Sequence, residues 1–248
     1  MTAGTAAEPA TPDVADPPGP RAVLWDLDGT LVDSEPLWAR AQVELAARHG
    51  GRWSPADAVG QTGQALAATA RAMRDRGGVD LPPARIVADL TDGVLARYRR
   101  RVPWAPGARE LLDQCRRRGV RCGLVTMSSA RLVAPVLAAL PTGTFATVVH
   151  GDRVSRPKPH PEPYRLALDE LRLAARQVVA VEDSEPGVAS ARAAGIPVLA
   201  IVHHGPGRAR PDVLVVSSLR EVSWDLLCRL GPRAPDGPAD RPTDAPRH

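Results

Sequence analysis

The 248-residue chain contains no asparagine, and Lys158 is the sole lysine among its 32 Lys+Arg residues. Arginine is the basic residue everywhere else, so this one lysine marks a position where a broad guanidinium fork and a compact ammonium are not equivalent. Aromatic residues make up only 3% of the chain, and its basic residues are dispersed, which removes the stacking platforms and basic stripe of a nucleic-acid binder despite a net charge of +4. The one dense basic run, Arg97 to Arg101, closes a helical pattern and reads as a solvated helix end complementing the helix dipole. Cys115, Cys122 and Cys228 form an odd, widely spaced set that excludes zinc pairs and a disulfide framework, leaving buried thiols as the expectation. No stretch approaches the roughly 18 apolar residues of a membrane span, and the first basic residue, Arg21, comes too late for a signal peptide. A cytoplasmic monomer with no nucleic-acid or membrane partner is expected.

Prolines punctuate the ends. Residues 1–20 and 231–248 hold ten of the 26 prolines and no apolar periodicity, so both are expected to be disordered tails. Between them, short apolar runs alternate with helical patterns: Ala22 to Trp25, Cys122 to Thr126, Thr147 to His150, Val178 to Val181, Val198 to Val202 and Val213 to Val216. That rhythm predicts a Rossmann-like α/β core, a parallel sheet covered by helices on both faces in three layers. The interval from Glu35 to Val102 breaks it and reads as helix throughout, with Val87, Leu90, Val94 and Tyr98 on one face. The expected organisation is a core of residues 21–34 and 104–230 carrying an inserted helical domain of residues 35–103.

Ligands of open parallel sheets bind beyond the carboxyl ends of the strands. In this chain those ends hold Asp26 and Asp28, Thr126, and Glu182-Asp183, while Lys158 precedes a helix opening at Pro161. Two carboxylates about 5 Å apart repel by roughly 3 kcal/mol at an effective dielectric near 20, so Asp26, Asp28 and Asp183 converging on one point require a cation. Few hard oxygen ligands with room for waters and a phosphate point to Mg²⁺. Taken singly, each residue has an ordinary reading: Asp28-Gly29 as a turn, Asp183-Ser184 as a helix cap, Thr126 as a strand residue, Lys158 as a surface charge.

The ordered set D-x-D-G-T at Asp26, Thr126 at a strand end, Lys158-Pro159 before a helix and Glu182-Asp183-Ser184 resembles the haloacid dehalogenase superfamily. The helical insert directly after the first motif resembles the superfamily's alpha-helical cap, in the beta-phosphoglucomutase-like and sugar-phosphatase branch. The resemblance implies that Asp26 is a nucleophile forming an aspartyl phosphate, and that Asp28 protonates the leaving alcohol and then activates water. It implies Mg²⁺ held by Asp26, Asp183 and the backbone carbonyl of Asp28, with Glu182 as an outer partner. Thr126 would hold the phosphoryl oxygens and Lys158 would neutralise nucleophile and phosphate.

Departures from relatives narrow the chemistry that the resemblance implies. Asp28 disfavours dehalogenation, and the lack of a second lysine disfavours Schiff-base phosphonate hydrolysis. Trp38 stands where the mutases carry a cap histidine, and Ser34-Glu35-Pro36-Leu37-Trp38 looks like the sugar- and hexitol-phosphate phosphatases. The expected partner is therefore a small phosphorylated metabolite, most simply a sugar or polyol phosphate. A phosphosugar mutase, a nucleoside 5'-phosphatase and a non-catalytic phosphate-binding module are the alternatives; a signalling receiver domain lacks the long insert. Met127 is expected to narrow the pocket beside the phosphate, Pro157 to stiffen the loop presenting Lys158, and Gln61, in the turn Gly60 to Gly63, to read the substrate. Asp33 and Glu35 are expected to cap and hinge the first inserted helix, and Trp38 to sit in its core.

Overall fold

A computed structural model describes residues 19–62, 64–202 and 213–231. Most of both proline-rich tails, Gly63 and the His203-His204 pair lie outside the described residues. Among the described residues six strands form one parallel sheet: β1 (Ala22–Trp25), β2 (Arg121–Val125), β3 (Thr147–Val149), β4 (Val178–Glu182), β5 (Val198–Ile201) and β6 (Val213–Val216), in the order β3-β2-β1-β4-β5-β6. The strands are short, Val-rich and buried on both sides, as a sheet covered on two faces requires.

Period-two alternation sorts their side chains into two cores. Val23, Trp25, Val179 and Val181 join one, together with α5 (Ala108–Arg117), α6 (Ala130–Ala138) and α9 (Trp224–Leu230). Ala22, Leu24, Val178 and Ala180 join the other, against α7 (Glu162–Leu171) and α8 (Glu185–Ala193). Full burial of one such Val, Leu or aromatic side chain contributes about 1.5–3 kcal/mol, so a one-residue slip of β1, which would exchange its two faces, is strongly disfavoured.

The insert between β1 and β2 is helical but not continuously so. It contains α1 (Glu35–Arg48), α2 (Pro55–Val59), α3 (Leu66–Asp75) and α4 (Pro83–Arg100). The glycine pairs Gly50-Gly51 and Gly77-Gly78, together with Pro55, Pro82 and Pro83, break the run. The apolar stripe of α4 is buried at Ile86, Leu90, Val94 and Tyr98, and this core continues into the sheet core through Leu27, Leu31 and Val32. Arg97, Arg99 and Arg100 lie in the last turn of α4; Arg99 and Arg100 are exposed, whereas Arg97 is half-buried and donates to Gly93 O and Glu44. Trp38 is partly buried against the same core. Among the described residues no helix is long and apolar enough to cross a membrane.

Candidate active site

The strand order reverses across β1, whose two neighbours are β2 and β4, and the residues following these three strands meet at one end of the sheet. Asp26 extends the ladder by donating its amide to Val181 O at 3.0 Å. The chain then folds tightly: Thr30, Leu31 and Val32 all donate to Leu27 O, and Gly29 donates to Val32 O at 2.8 Å. Gly29 has φ of +84°, and a Cβ there would overlap the Asp183 carboxylate. This turn therefore needs glycine for both its conformation and its close approach to the acid.

Lys158 is the centre of the floor. Its Nζ donates to Asp26 Oδ1 at 2.7 Å, Glu182 Oε1 at 2.5 Å and Val125 O at 2.9 Å, and lies 5.3 Å from the centroid of the Tyr164 ring. Three N–H groups meet three acceptors. One oxygen each of Asp26, Glu182 and Asp183 lie within 4.8 Å of one another. Burial pushes the Asp26 carboxyl well above its ordinary range, outweighing Lys158, and burial followed by the Glu182 charge lifts Asp183 to about 7.

Three acids share one lysine, an excess of buried negative charge that fits a hard divalent cation. Glu182 already has its donors: Lys158 and Tyr164 Oη (2.8 Å) on Oε1, and Ser184 Oγ (3.1 Å) with the Asp183 amide (3.2 Å) on Oε2. Asp183 meets the Thr30 hydroxyl only at a long 3.4 Å, so Asp26 and Asp183 are the carboxylates with capacity for a cation. Ser184, not Asp183, caps α8 by accepting the Gly187 amide. A Cβ on Gly187 would overlap the Glu182 carboxylate. Gly187→Ala is therefore expected to lower unfolding stability by about 3 kcal/mol or more, read from a denaturant midpoint.

Asp28 stands apart from that acidic group. Ser128 Oγ donates to its Oδ2 at 2.6 Å, and Tyr98 Oη, from the last turns of α4, reaches Oδ1 at 3.4 Å. Thr126 is buried, and its hydroxyl accepts the Ser128 amide at 3.0 Å. Met127 is partly buried, and its carbonyl packs where a Cβ on Gly151 would fall. Gln61 lies in the α2–α3 connection, where Thr62 Oγ1 donates to Glu35 Oε2 at 3.0 Å. Thus Asp26, Lys158, Glu182 and Asp183 converge, Asp28 is held beside them by Ser128 and Tyr98 and its charge reaches Asp183, and Gln61 makes no described contact with that group. The N-cap of α1 falls to Ser34 without a side-chain bond, so Asp33 does not cap it as expected.

The loop carrying Lys158 is tied to the start of α7. Glu162 accepts the Ser155 amide at 2.7 Å, the Arg156 amide at 3.1 Å and the Arg156 side chain at 3.2 Å, while His160 Nδ1 accepts the Glu162 amide. The Ser155 amide, first among these, holds the Glu162 carboxyl at about 2. A depressed carboxyl pKa stabilises fully above the ordinary value, about 4.3, and that contribution disappears as pH falls towards 2. Thermal unfolding of Glu162→Gln is therefore expected to run below wild type at pH 7 and to converge with it towards pH 2.

Ser128, Tyr98, Tyr164 and Glu162 are the participants that motif reading missed. Ser128, two residues after Thr126, and Glu162, an acid opening the helix after the lysine loop, carried local signals, whereas Tyr98 and Tyr164 carried none.

Residues 20–195 match the model of the haloacid dehalogenase-like hydrolases. The chain belongs to that family. This hydrolase is 32% identical over 218 residues to a phosphoglycolate phosphatase of Pseudomonas fluorescens, covering 82% of this chain and 78% of the relative. It is 35% identical over 220 residues to the plasmid phosphoglycolate phosphatase of Cupriavidus necator, covering 85% and 93%. Among solved structures, CbbY from Rhodobacter sphaeroides in complex with phosphate superposes with a TM-score of 0.70 at 29% identity, over 82% of this chain and 96% of that one. A CbbY variant in complex with xylulose-1,5-bisphosphate gives 0.70 at 28% identity, with the same coverage.

Proposed function

We propose that this hydrolase removes phosphate from a small phosphorylated metabolite, a sugar or polyol monophosphate, using Asp26 as nucleophile. The observation that carries the reading is the ammonium of Lys158 seated between Asp26 and Glu182 at 2.7 and 2.5 Å, with Asp28 two residues along and separately held. A nucleophilic carboxylate needs one oxygen fixed and the other presented, and Lys158 fixes Oδ1. The acid/base carboxyl must not be spent on the metal, and Asp28 lies outside the acidic group while Ser128 orients it.

In this reading Asp26 attacks phosphorus and the P–O bond to the leaving alkoxide breaks. Asp28 gives that oxygen a proton, then takes one from the water that hydrolyses the aspartyl phosphate. Lys158 and Thr126 stabilise negative charge on the phosphoryl oxygens. Asp26, Asp183 and the Asp28 carbonyl would hold Mg²⁺, which supplies charge neutralisation of phosphate. Residues 35–103 act as a cap over the core of residues 21–34 and 104–230, excluding water, with Gln61 and Met127 facing the substrate. The enzyme works as a cytoplasmic monomer without nucleic-acid or membrane partners.

The test is phosphate release from a panel of sugar, polyol and nucleotide phosphates. The proposal expects Mg²⁺-dependent release that EDTA abolishes, strongest with sugar or polyol monophosphates. Silence from a folded protein across the panel would contradict it.

A further inference from the structure

The buried stripe of α4 ends in a polar atom. Ile86, Leu90, Val94 and Leu95 fill the core of the insert with apolar atoms alone, whereas Tyr98, only 3% exposed, carries a hydroxyl that costs free energy to bury unless it finds a partner. Its Oη reaches Asp28 Oδ1 at 3.4 Å. The ring is held in place from both sides. Tyr98 stands two residues before the end of α4, and the chain then returns to the core alongside the segment that left it. Asp33 donates its amide to Pro103 O and Ala105 donates to Leu31 O, both at 2.9 Å, about an antiparallel bridge between Val32 and Trp104. Leu27, Leu31 and Val32, on either side of Asp28, share one apolar cluster with Tyr98. The helix carrying the phenol and the backbone carrying the acid are thus packed as one unit.

The two oxygens of Asp28 are held unequally. Ser128 Oγ, from the core, donates to Oδ2 at a short 2.6 Å, while Tyr98 Oη, from the insert, borders Oδ1 at a separation beyond the roughly 2.5–3.0 Å of a tight hydroxyl bond. Oδ2 is therefore the anchored oxygen, and Oδ1 keeps the capacity to exchange a proton. One anchor alone leaves the carboxyl plane free to turn about that bond. A second contact, on the Oδ1 side and from a different element, restricts the turn without occupying the oxygen fully.

Resting on the phosphatase reading above, we infer that Tyr98 is a positioning residue for proton transfer by Asp28: its hydroxyl, supplied by the insert, keeps Oδ1 aimed at the oxygen that leaves phosphorus. Tyr98 itself makes and breaks no bond to the substrate. It acts through Asp28, and only where the leaving oxygen needs a proton.

The experiment compares full-length wild type with Tyr98→Phe, which keeps the ring in the apolar stripe and removes only the hydroxyl. Two esters are supplied with Mg²⁺: the alkyl phosphate of the panel above with the highest kcat/KM, whose alkoxide must be protonated as it departs, and p-nitrophenyl phosphate, whose phenolate departs without a proton. For the alkyl ester kcat/KM, which covers the steps through P–O cleavage, is expected to fall about tenfold, and for the aryl ester by less than about twofold. In an Asp28→Asn background, Tyr98→Phe is expected to lower turnover of the alkyl ester no further, because no acid is left to position. That cycle on the alkyl ester decides the question on its own. Equal falls on both esters, an undiminished loss in the Asp28→Asn background, or wild-type turnover of the alkyl ester by Tyr98→Phe would reduce Tyr98 to packing and overturn the inference while sparing the phosphatase reading. No phosphate released from any ester by wild type overturns both.

Discussion

Replacing Asp26 with Asn is expected to lower kcat by at least about 10³-fold, a loss of about 4 kcal/mol of transition-state stabilisation, while leaving the fold intact. The amide matches the carboxylate in shape but is not a competent nucleophile and carries no charge for the cation. Its effect on stability runs the other way. Burial raises the Asp26 carboxyl more than Lys158 lowers it, so the ionised acid opposes folding. A raised carboxyl pKa means that the folded protein holds its proton longer than the unfolded chain. Stability therefore falls as pH rises from the ordinary carboxyl range, about 3.9, through the raised value. Asp26→Asn removes that penalty, and its unfolding midpoint in EDTA at pH 7 is expected to equal or exceed that of wild type. Activity lost with stability kept, measured on one preparation by phosphate release and thermal unfolding, separates a chemical role from a structural one.

Lys158 is expected to show the opposite pairing, with activity and stability lost together. Its ammonium spends all three N–H groups on Asp26, Val125 O and Glu182, and its side chain is only 5% exposed. A guanidinium is planar and broader, and it cannot point three donors from a single atom at those acceptors. Lys158→Arg is expected to lose at least about 10²-fold in kcat. Lys158→Met leaves Glu182, which is fully buried, without its cation and is expected to cost about 3–5 kcal/mol of unfolding stability. Retention of wild-type turnover by the Arg variant would remove the explanation for the one lysine in the chain.

Most of the core was legible because its signals are local. β1 and β6 fall at the bounds predicted from their apolar runs, β3, β4 and β5 differ by one residue at the C-terminal end, and β2 is shifted by one residue at both ends. Parallel strands buried on both faces read as continuous Val-rich runs, and the reactive residues stand directly after them. The insert was legible as helical but not as four helices, because glycine pairs are weaker stop signals than an apolar stripe is a helix signal. What stayed hidden were contacts made across long sequence separations. Tyr98 reaches Asp28 from 70 residues away, and Ser128 reaches it from 100. Nothing local to Tyr98 distinguishes it from another member of the α4 stripe. Glu182 was legible only as an outer partner of a metal; that it also holds Lys158, with donors on both oxygens and Gly187 against its carboxylate, is a contact between distant segments.

The central claim is a covalent phosphoryl group on Asp26, and acid quenching of the enzyme during turnover of a phosphorus-labelled substrate tests it most directly. The account predicts label bound to the wild-type chain, mapped by peptide analysis to Asp26 and lost in Asp26→Asn. Label mapping to another residue, or an Asp26→Asn chain that still turns over with Mg²⁺, would contradict it.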